Sequence, residues 1–462
     1  MKITYIKTIL IAIIPFLTVS CINEVLDKDP VSSYSAEGFY QTTSDAQAGV
    51  YGIYTQAQSV FSYNFSYWGE GRADNVQTAQ SGEGLTLTQN NLDASASSAD
   101  WSALYTMISN ANYAIKYIPN VYAEGDAAGN QLIGQAKALR ALAYFYLVRV
   151  WGDVPLITEP YTSILQDIFV KKTNQEQVLD QIEQDLTYAT ANCVDKFNSN
   201  NDRIMFTKGS SNALLTEVYM WRGKYAQAVA SSALVMGNSL YSLVSTIDEW
   251  SSIFTAGYSK ESIFEVGYND TRTNGLRVLY AIGSYAIFTP STKFKASYEP
   301  GDLRIPYVYD TTLVEPKAIW KFLGKGVSDE DASKSHQDIV LIRLADIMLL
   351  RAEALTQVGG PANIAEALTL LNKIRTRAGL PVFATEADAT AKHGSLEAAI
   401  LHERSVELCF EGQRWFDLRR TGTAISTMGP INGLSDERNL VWPINIGVLN
   451  KNPNMEQNDY YK

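Results

Sequence analysis

The chain has 462 residues, 38 of them basic and 49 acidic, and a hydrophobic content of 46% that suits a folded protein with a large core. A net charge of −11 excludes the clustered basic surface that nucleic-acid binding requires. Three cysteines are too few for a disulfide scaffold, while 27 tyrosines direct attention to ligands that stack on rings.

Residues 1 to 20 read as a signal peptide, with Lys2 and Lys7 before the apolar run TILIAIIPFLTV and then Ser20-Cys21. About a dozen apolar residues are too few to span a bilayer. A cysteine directly after the cleavage point predicts lipoprotein processing, with Cys21 as the acylated first residue of the mature chain. Thr18 stands where the commonest lipobox has Leu. Several acyl chains on one residue anchor stably, so the mature protein is expected to be tethered to a membrane rather than to span it. Removing residues 1–20 leaves 36 basic against 49 acidic side chains, a still more acidic surface. Cys193 and Cys409 then remain on separate helical segments and are expected to be free thiols.

Apolar residues recur every three or four positions over 44–60, 101–118, 130–151, 175–192 and 207–235, and again over 342–357, 363–378 and 395–410. The chain is therefore expected to be mostly α-helical. In RALAYFYLVRVWGDVPLI, residues 140–157, the only charge between Ala141 and Trp151 is Arg149, so neighbours must cover this helix on most sides. Arg149 is expected to snorkel to an edge or to meet a carboxylate. Gly152 suits a backbone turn after the helix, and Pro155 prevents its resumption.

Two segments read as helical hairpins of tetratricopeptide type. The first turns at Arg222-Gly223-Lys224-Tyr225, with Ala226 and Ala228 where the helices approach. The second turns at Gly359-Gly360, with Ala365 and Ala367 beyond it. Between about 240 and 335 the pattern breaks into short runs of Tyr, Phe, Val and Ile, read as loops with a few short strands.

No catalytic motif accompanies this scaffold. His336, His393 and His402 form no His-Glu-x-x-His, and nucleophile-elbow, Cys-x-x-Cys and phosphate-loop patterns do not occur. Glu403, Glu407 and Glu411 fall every four residues. Carboxylates along one helix do not readily flank a sugar ring, and Arg404, Arg414, Arg419 and Arg420 are at hand to neutralise them. The acidic loop Asp329-Glu330-Asp331 lacks the spacing of a calcium loop and reads as solvated charge. The chain is not expected to be an enzyme, and no cofactor or metal is implied.

Binding by aromatics remains. In SYNFSYWGEGRADN, Tyr63, Tyr67 and Trp68 precede Arg72, Asp74 and Asn75, and Gly69 with Gly71 is expected to prevent a regular helix. Trp68 is read as a ring for a sugar face, with Arg72, Asp74 and Asn75 on its hydroxyls. Trp101 opens a helix after the polar run from Asp93 to Asp100 and is expected at the rim.

RALAYFYLVRVWGDVPLI resembles the signature of the SusD/RagB family, the surface glycan-binding lipoproteins of Bacteroidetes. Trp101-Ser-Ala-Leu-Tyr105, LIRLADIMLLRAEAL, EALTLLNKIRTRAGLP, ILHERSVELCFEGQRWFDLRRTG and NPNMEQNDYY are similar to further family segments in the same order. Asn445 and Asp459 depart from the usual prolines. The resemblance implies a tetratricopeptide-like helical scaffold with a loop-rich ligand face and no catalysis. Its division would be an N-terminal helical region at 21–240, a variable ligand-face region at 241–335 and a C-terminal helical region at 336–462. It implies an acidic site position at Asp74 and a second wall before Thr289-Pro290, where Tyr280 and Tyr285 are the candidates. It also implies oligosaccharide as ligand and a SusC-like TonB-dependent outer-membrane transporter as partner, with the lipoprotein as its lid at the cell exterior. A lid for a non-glycan nutrient such as peptides, and a tethered adaptor binding only proteins, are the alternatives.

Overall fold

Helices start where side chains satisfy their free N-terminal N–H groups. Thr42, Thr207, Thr246 and Thr385 each cap a helix reciprocally with the residue three positions on. The computed structural model describes residues 36–78, 80–163, 165–280, 286–314, 318–326 and 335–462. The signal peptide, Cys21, Tyr285 and the acidic loop 329–331 lie outside the described residues.

In chain order the main helices are α1 (Thr43–Gly69), α2 (Ser102–Tyr117), α3 (Ala127–Trp151), α4 (Gln175–Asn192), α5 (Lys208–Trp221), α6 (Tyr225–Met236) and α7 (Ile247–Thr255). They continue as α8 (Leu344–Val358), α9 (Pro361–Arg377), α10 (Glu386–His393), α11 (Leu396–Glu407), α12 (Arg414–Arg420) and α13 (Ala424–Asn432). Strand β1 (Val76–Gln77) pairs antiparallel with β3 (Thr289–Pro290), and β2 (Ser262–Val266) pairs antiparallel with β4 (Ile339–Arg343). Few and short strands among many helices agree with the expected class. No helix among the described residues is long and apolar enough to cross a membrane.

Both helical hairpins form, α5 with α6 and α8 with α9, and α6 packs against α8 so that the two hairpins stack. Gly223 at φ 65° and Gly359 at φ 74° make their turns. Only one alanine of each expected pair enters the helix contact. Ala228 and Ala367 are buried, whereas Ala226 and Ala365 face outward, because positions two apart on a helix point to nearly opposite faces.

Helix α3 lies between α2 and α4, and every residue from Ala138 to Trp151 is buried. Arg149 does not snorkel. It is sandwiched by the rings of Phe145, Tyr146 and Phe416 at 4.0–4.4 Å and meets Glu217 at 3.6 Å. The chain's C-terminal segment closes the end of this helix. Trp442 donates its backbone N–H to Val150, the Trp151 ring nitrogen donates to Pro443, and Asn458 donates to the carbonyls of Trp151 and Trp442. Gly152, at φ 76°, turns the chain away from the helix.

Helix α1 runs nine residues beyond the apolar repeat, through Tyr63, Tyr67 and Trp68 to Gly69. The helix stops only at Gly69, so Tyr63, Tyr67 and Trp68 are helical rather than part of an irregular loop. Gly69 instead permits close backbone approach, since a Cβ there would meet the Gly412 carbonyl oxygen at 1.9 Å. Cys193 and Cys409 are buried free thiols.

Candidate functional site

Two clefts meet where α1 ends. One, of about 290 Å³, lies between the turn Asp74-Asn75, the short helix Thr292–Ser297, α11 and the α12–α13 turn. Asp74, Asn75, Lys293, His402, Arg414 and Thr421 are among its lining residues. The other, of about 360 Å³, is lined by Gln77, Thr78, Thr88, Gln89 and Thr292 together with the same Asp74 and Lys293. Asp74 is thus the shared wall. Arg414 donates to its two carboxylate oxygens at 2.8 and 3.1 Å, and Lys293 sits 3.0 Å away. Burial pushes this carboxyl up, but the two cations outweigh it and hold the group at about 2. Asn75 is buried beneath, reaching Glu70 at 3.4 Å and the Ser405 carbonyl at 3.5 Å.

The ring positions differ from expectation. Trp68 is 1% exposed, packs edge-on against Trp151, and donates its ring N–H to the Ser98 carbonyl at 2.9 Å. Trp101 is 3% exposed and packs against the same Trp151, so it is a core ring at a helix start rather than a rim residue. Tyr280 is fully buried, stacked 5.4 Å from Phe322 with its hydroxyl donating to Ser66. Arg72 is buried over the Trp415 ring at 4.6 Å and donates to Asn90 and Asn439. These four side chains are engaged inside the fold, where an incoming sugar does not reach them. Among the described residues, Asp74 and Asn75 are the expected residues that line these two clefts.

The expectation passed over two rings in the same segment. Tyr63 and Tyr67, one helical turn apart on α1, remain half-buried and stack with centroids 6.3 Å apart at 22°. Phe288 braces Tyr67 edge-on at 6.0 Å, just before Thr289 and Pro290 pair with the cleft residues Val76 and Gln77. Helical continuation was the missing signal. Had α1 been read through Gly69, the i, i+4 spacing would have placed both tyrosines on one face and Trp68 on another.

The three glutamates lie elsewhere. Glu403, Glu407 and Glu411 are buried, but their partners are not the arginines near them in sequence. Glu403 meets Arg304 and Arg375; Glu407 meets Arg304, Arg343 and Arg377; Glu411 meets Arg343 and Lys321. Arg404 serves Asp346 and Asp417, Arg414 serves Asp74, Arg420 serves Glu353 and Asp417, and Arg419 donates to the Arg149 carbonyl. Burial raises Glu403, whereas for Glu407 burial is overcome by Arg377, Arg343 and Arg304, which hold it well below the usual carboxylate range. None of the three lines either cleft. The arrangement is a buried ion network that ties the middle of the chain to α11.

Residues 267–433 match the family model of the SusD family, and residues 25–220 match a model described as starch-binding, associating with the outer membrane. A SusD-like protein of Formosa agariphila is 31% identical, with 98% of this chain and 99% of that one covered. The starch-binding protein SusD of Bacteroides thetaiotaomicron is 33% identical over 30% of this chain and 24% of its own length. Among solved structures, a laminarin-binding SusD-like protein superposes with a TM-score of 0.77 at 25% identity, covering 91% of this chain and all of that one.

Proposed function

The chain belongs to the SusD family, and from that premise we propose that it binds oligosaccharides at the outer membrane and passes them to a SusC-like TonB-dependent transporter. The stacked, half-buried Tyr63–Tyr67 pair, which Phe288 links to the strand pair lining the second cleft, carries this reading. Sugars present apolar C–H faces that stack on flat rings, while amides, hydroxyls and charges nearby hold their hydroxyl groups. Tyr63 and Tyr67 supply the rings; Gln77, Thr88, Gln89, Lys293 and the ionised Asp74 supply the polar side. The site is open and makes few fully desolvated contacts, so affinity falls on the order of micromolar to millimolar. The starch- and laminarin-binding names of its relatives support a glucan as the first ligand to test. Acylation of Cys21 would tether the chain, and the family model's outer-membrane description supports that location.

The test is calorimetric titration with starch and laminarin oligosaccharides, alongside an assay for reducing ends. Tyr67→Ala and Tyr63→Ala should each weaken binding about tenfold, roughly 1.4 kcal/mol, with little change in the melt. Undiminished binding in both variants would place the ligand on another face. Release of reducing ends by the wild type would replace binding with catalysis.

A further inference from the structure

Two of the chain's three histidines meet a carboxylate away from the ring pair. Among the described residues, Glu299, His393 and His402 place one ligand atom each within 4.8 Å of one another. Glu299 follows the short helix Thr292–Ser297, His393 ends α10, and His402 lies on α11, so three separate segments converge. The imidazoles lie 4.7 Å apart, centroid to centroid, tilted by 36°. His393 Nε2 is buried without a hydrogen-bond partner and stands 4.0 Å from Glu299 Oε1.

We propose that Glu299, His393 and His402 form a binding site for a divalent transition-metal ion of the zinc type. Two imidazole nitrogens and one carboxylate oxygen are the donor set that such ions select, whereas calcium and magnesium prefer oxygen alone. Zinc–ligand distances of about 2.0–2.2 Å require the three atoms to draw in by roughly an ångström, within reach of side-chain rotation. Arg375 orients the carboxylate by donating to both of its oxygens, Oε1 at 2.8 Å and Oε2 at 3.1 Å, and is itself fixed by the Pro381 carbonyl. Phe383 packs edge-on against His393 and holds that ring in place. Lys392, half in solvent, donates to the other oxygen of this carboxylate, Oε2, and sets a positive charge beside the site that competes with an incoming cation. Three protein ligands leave a fourth position for water.

His402 lines the Asp74 cleft as well, so a bound ion would pin that wall to the loop at Glu299.

The experiment is calorimetric titration of tag-free, chelator-treated protein with zinc chloride, with calcium and magnesium chlorides in parallel. One zinc per chain is expected, in preference to calcium or magnesium. His393→Gln and His402→Gln should each weaken zinc binding by about tenfold or more, the loss typical even of supporting residues. His336→Gln should leave it unchanged. Lys392→Ala, at an exposed position, should tighten it by removing a positive charge from beside the carboxylate. Metal-free melts identify any variant that fails to fold. The Lys392→Ala gain does not depend on the histidine variants. Absence of stoichiometric zinc binding, equal affinity in folded His393→Gln, or weaker binding in Lys392→Ala would each overturn the site.

Discussion

Glu407→Gln removes one charge from the centre of the buried network while keeping nearly the same shape. One oxygen of Glu407 accepts from Arg343 at 2.7 Å, from the Trp250 ring nitrogen at 2.8 Å and from Arg377; the other accepts from Arg304 at 2.8 Å. A glutamine can keep the first oxygen, but its amide then points N–H groups at the Arg304 guanidinium. Breaking a buried ion pair by removing one partner costs about 3–5 kcal/mol, because the remaining charge stays desolvated. Unfolding entropy near 60 °C is about 2.1 cal/mol/K per residue, so the roughly 410 described residues give about 0.9 kcal/mol/K. The melting temperature should therefore fall by about 3–6 °C.

The pH dependence follows from the sign of the shift. Glu407 is held well below its ordinary value in the folded protein. Its stabilisation is complete above the unfolded carboxylate range and is lost as pH falls through the folded value. The gap between wild type and variant should be constant from pH 5 to 8 and should narrow only below about 4. Circular-dichroism melts across that range, checked by equilibrium denaturation, measure it. Oligosaccharide binding should be unchanged in the folded variant. A melting temperature within about 1 °C of wild type at pH 7, equivalent to about 1 kcal/mol, would refute the reasoning.

Leu142, 1% exposed on α3, should not tolerate Asp; a loss of more than about 4 kcal/mol is expected in a thermal melt, since a carboxylate would be buried unpaired. Asp74→Asn should destabilise at neutral pH. Asp74 titrates at about 2 when folded, so the wild-type advantage is present above the ordinary aspartate value and disappears as pH falls toward 2, as melts from pH 2 to 6 would show. Cys21→Ala should move the protein from the membrane pellet to the supernatant in cells lacking the barrel partner; retention in the pellet would count against acylation.

The helical class, most helix positions and the burial of α3 were legible in the sequence because they rest on local information. A period of 3.6 residues, capping threonines and turn glycines act over a few positions, and uninterrupted apolar content from Ala141 to Val148 leaves no face for water. The hairpins at Gly223 and Gly359 were readable for the same reason. The path of α1 past Phe61 was not, because Gly69, which looked like a breaker, serves a contact with Gly412, more than 340 residues away. That one continuation decided which rings face outward, turning Trp68 into core and leaving Tyr63 and Tyr67 accessible. The same limit governs charge. Sequence proximity assigned Arg404 and the arginines of α12 to Glu403, Glu407 and Glu411, whereas the fold brings Arg304, Arg343, Arg375 and Arg377 to them instead. Composition reveals that a ring or a charge is present; long-range packing decides whether it meets solvent, because exposure and pairing belong to neighbours that the local sequence does not contain.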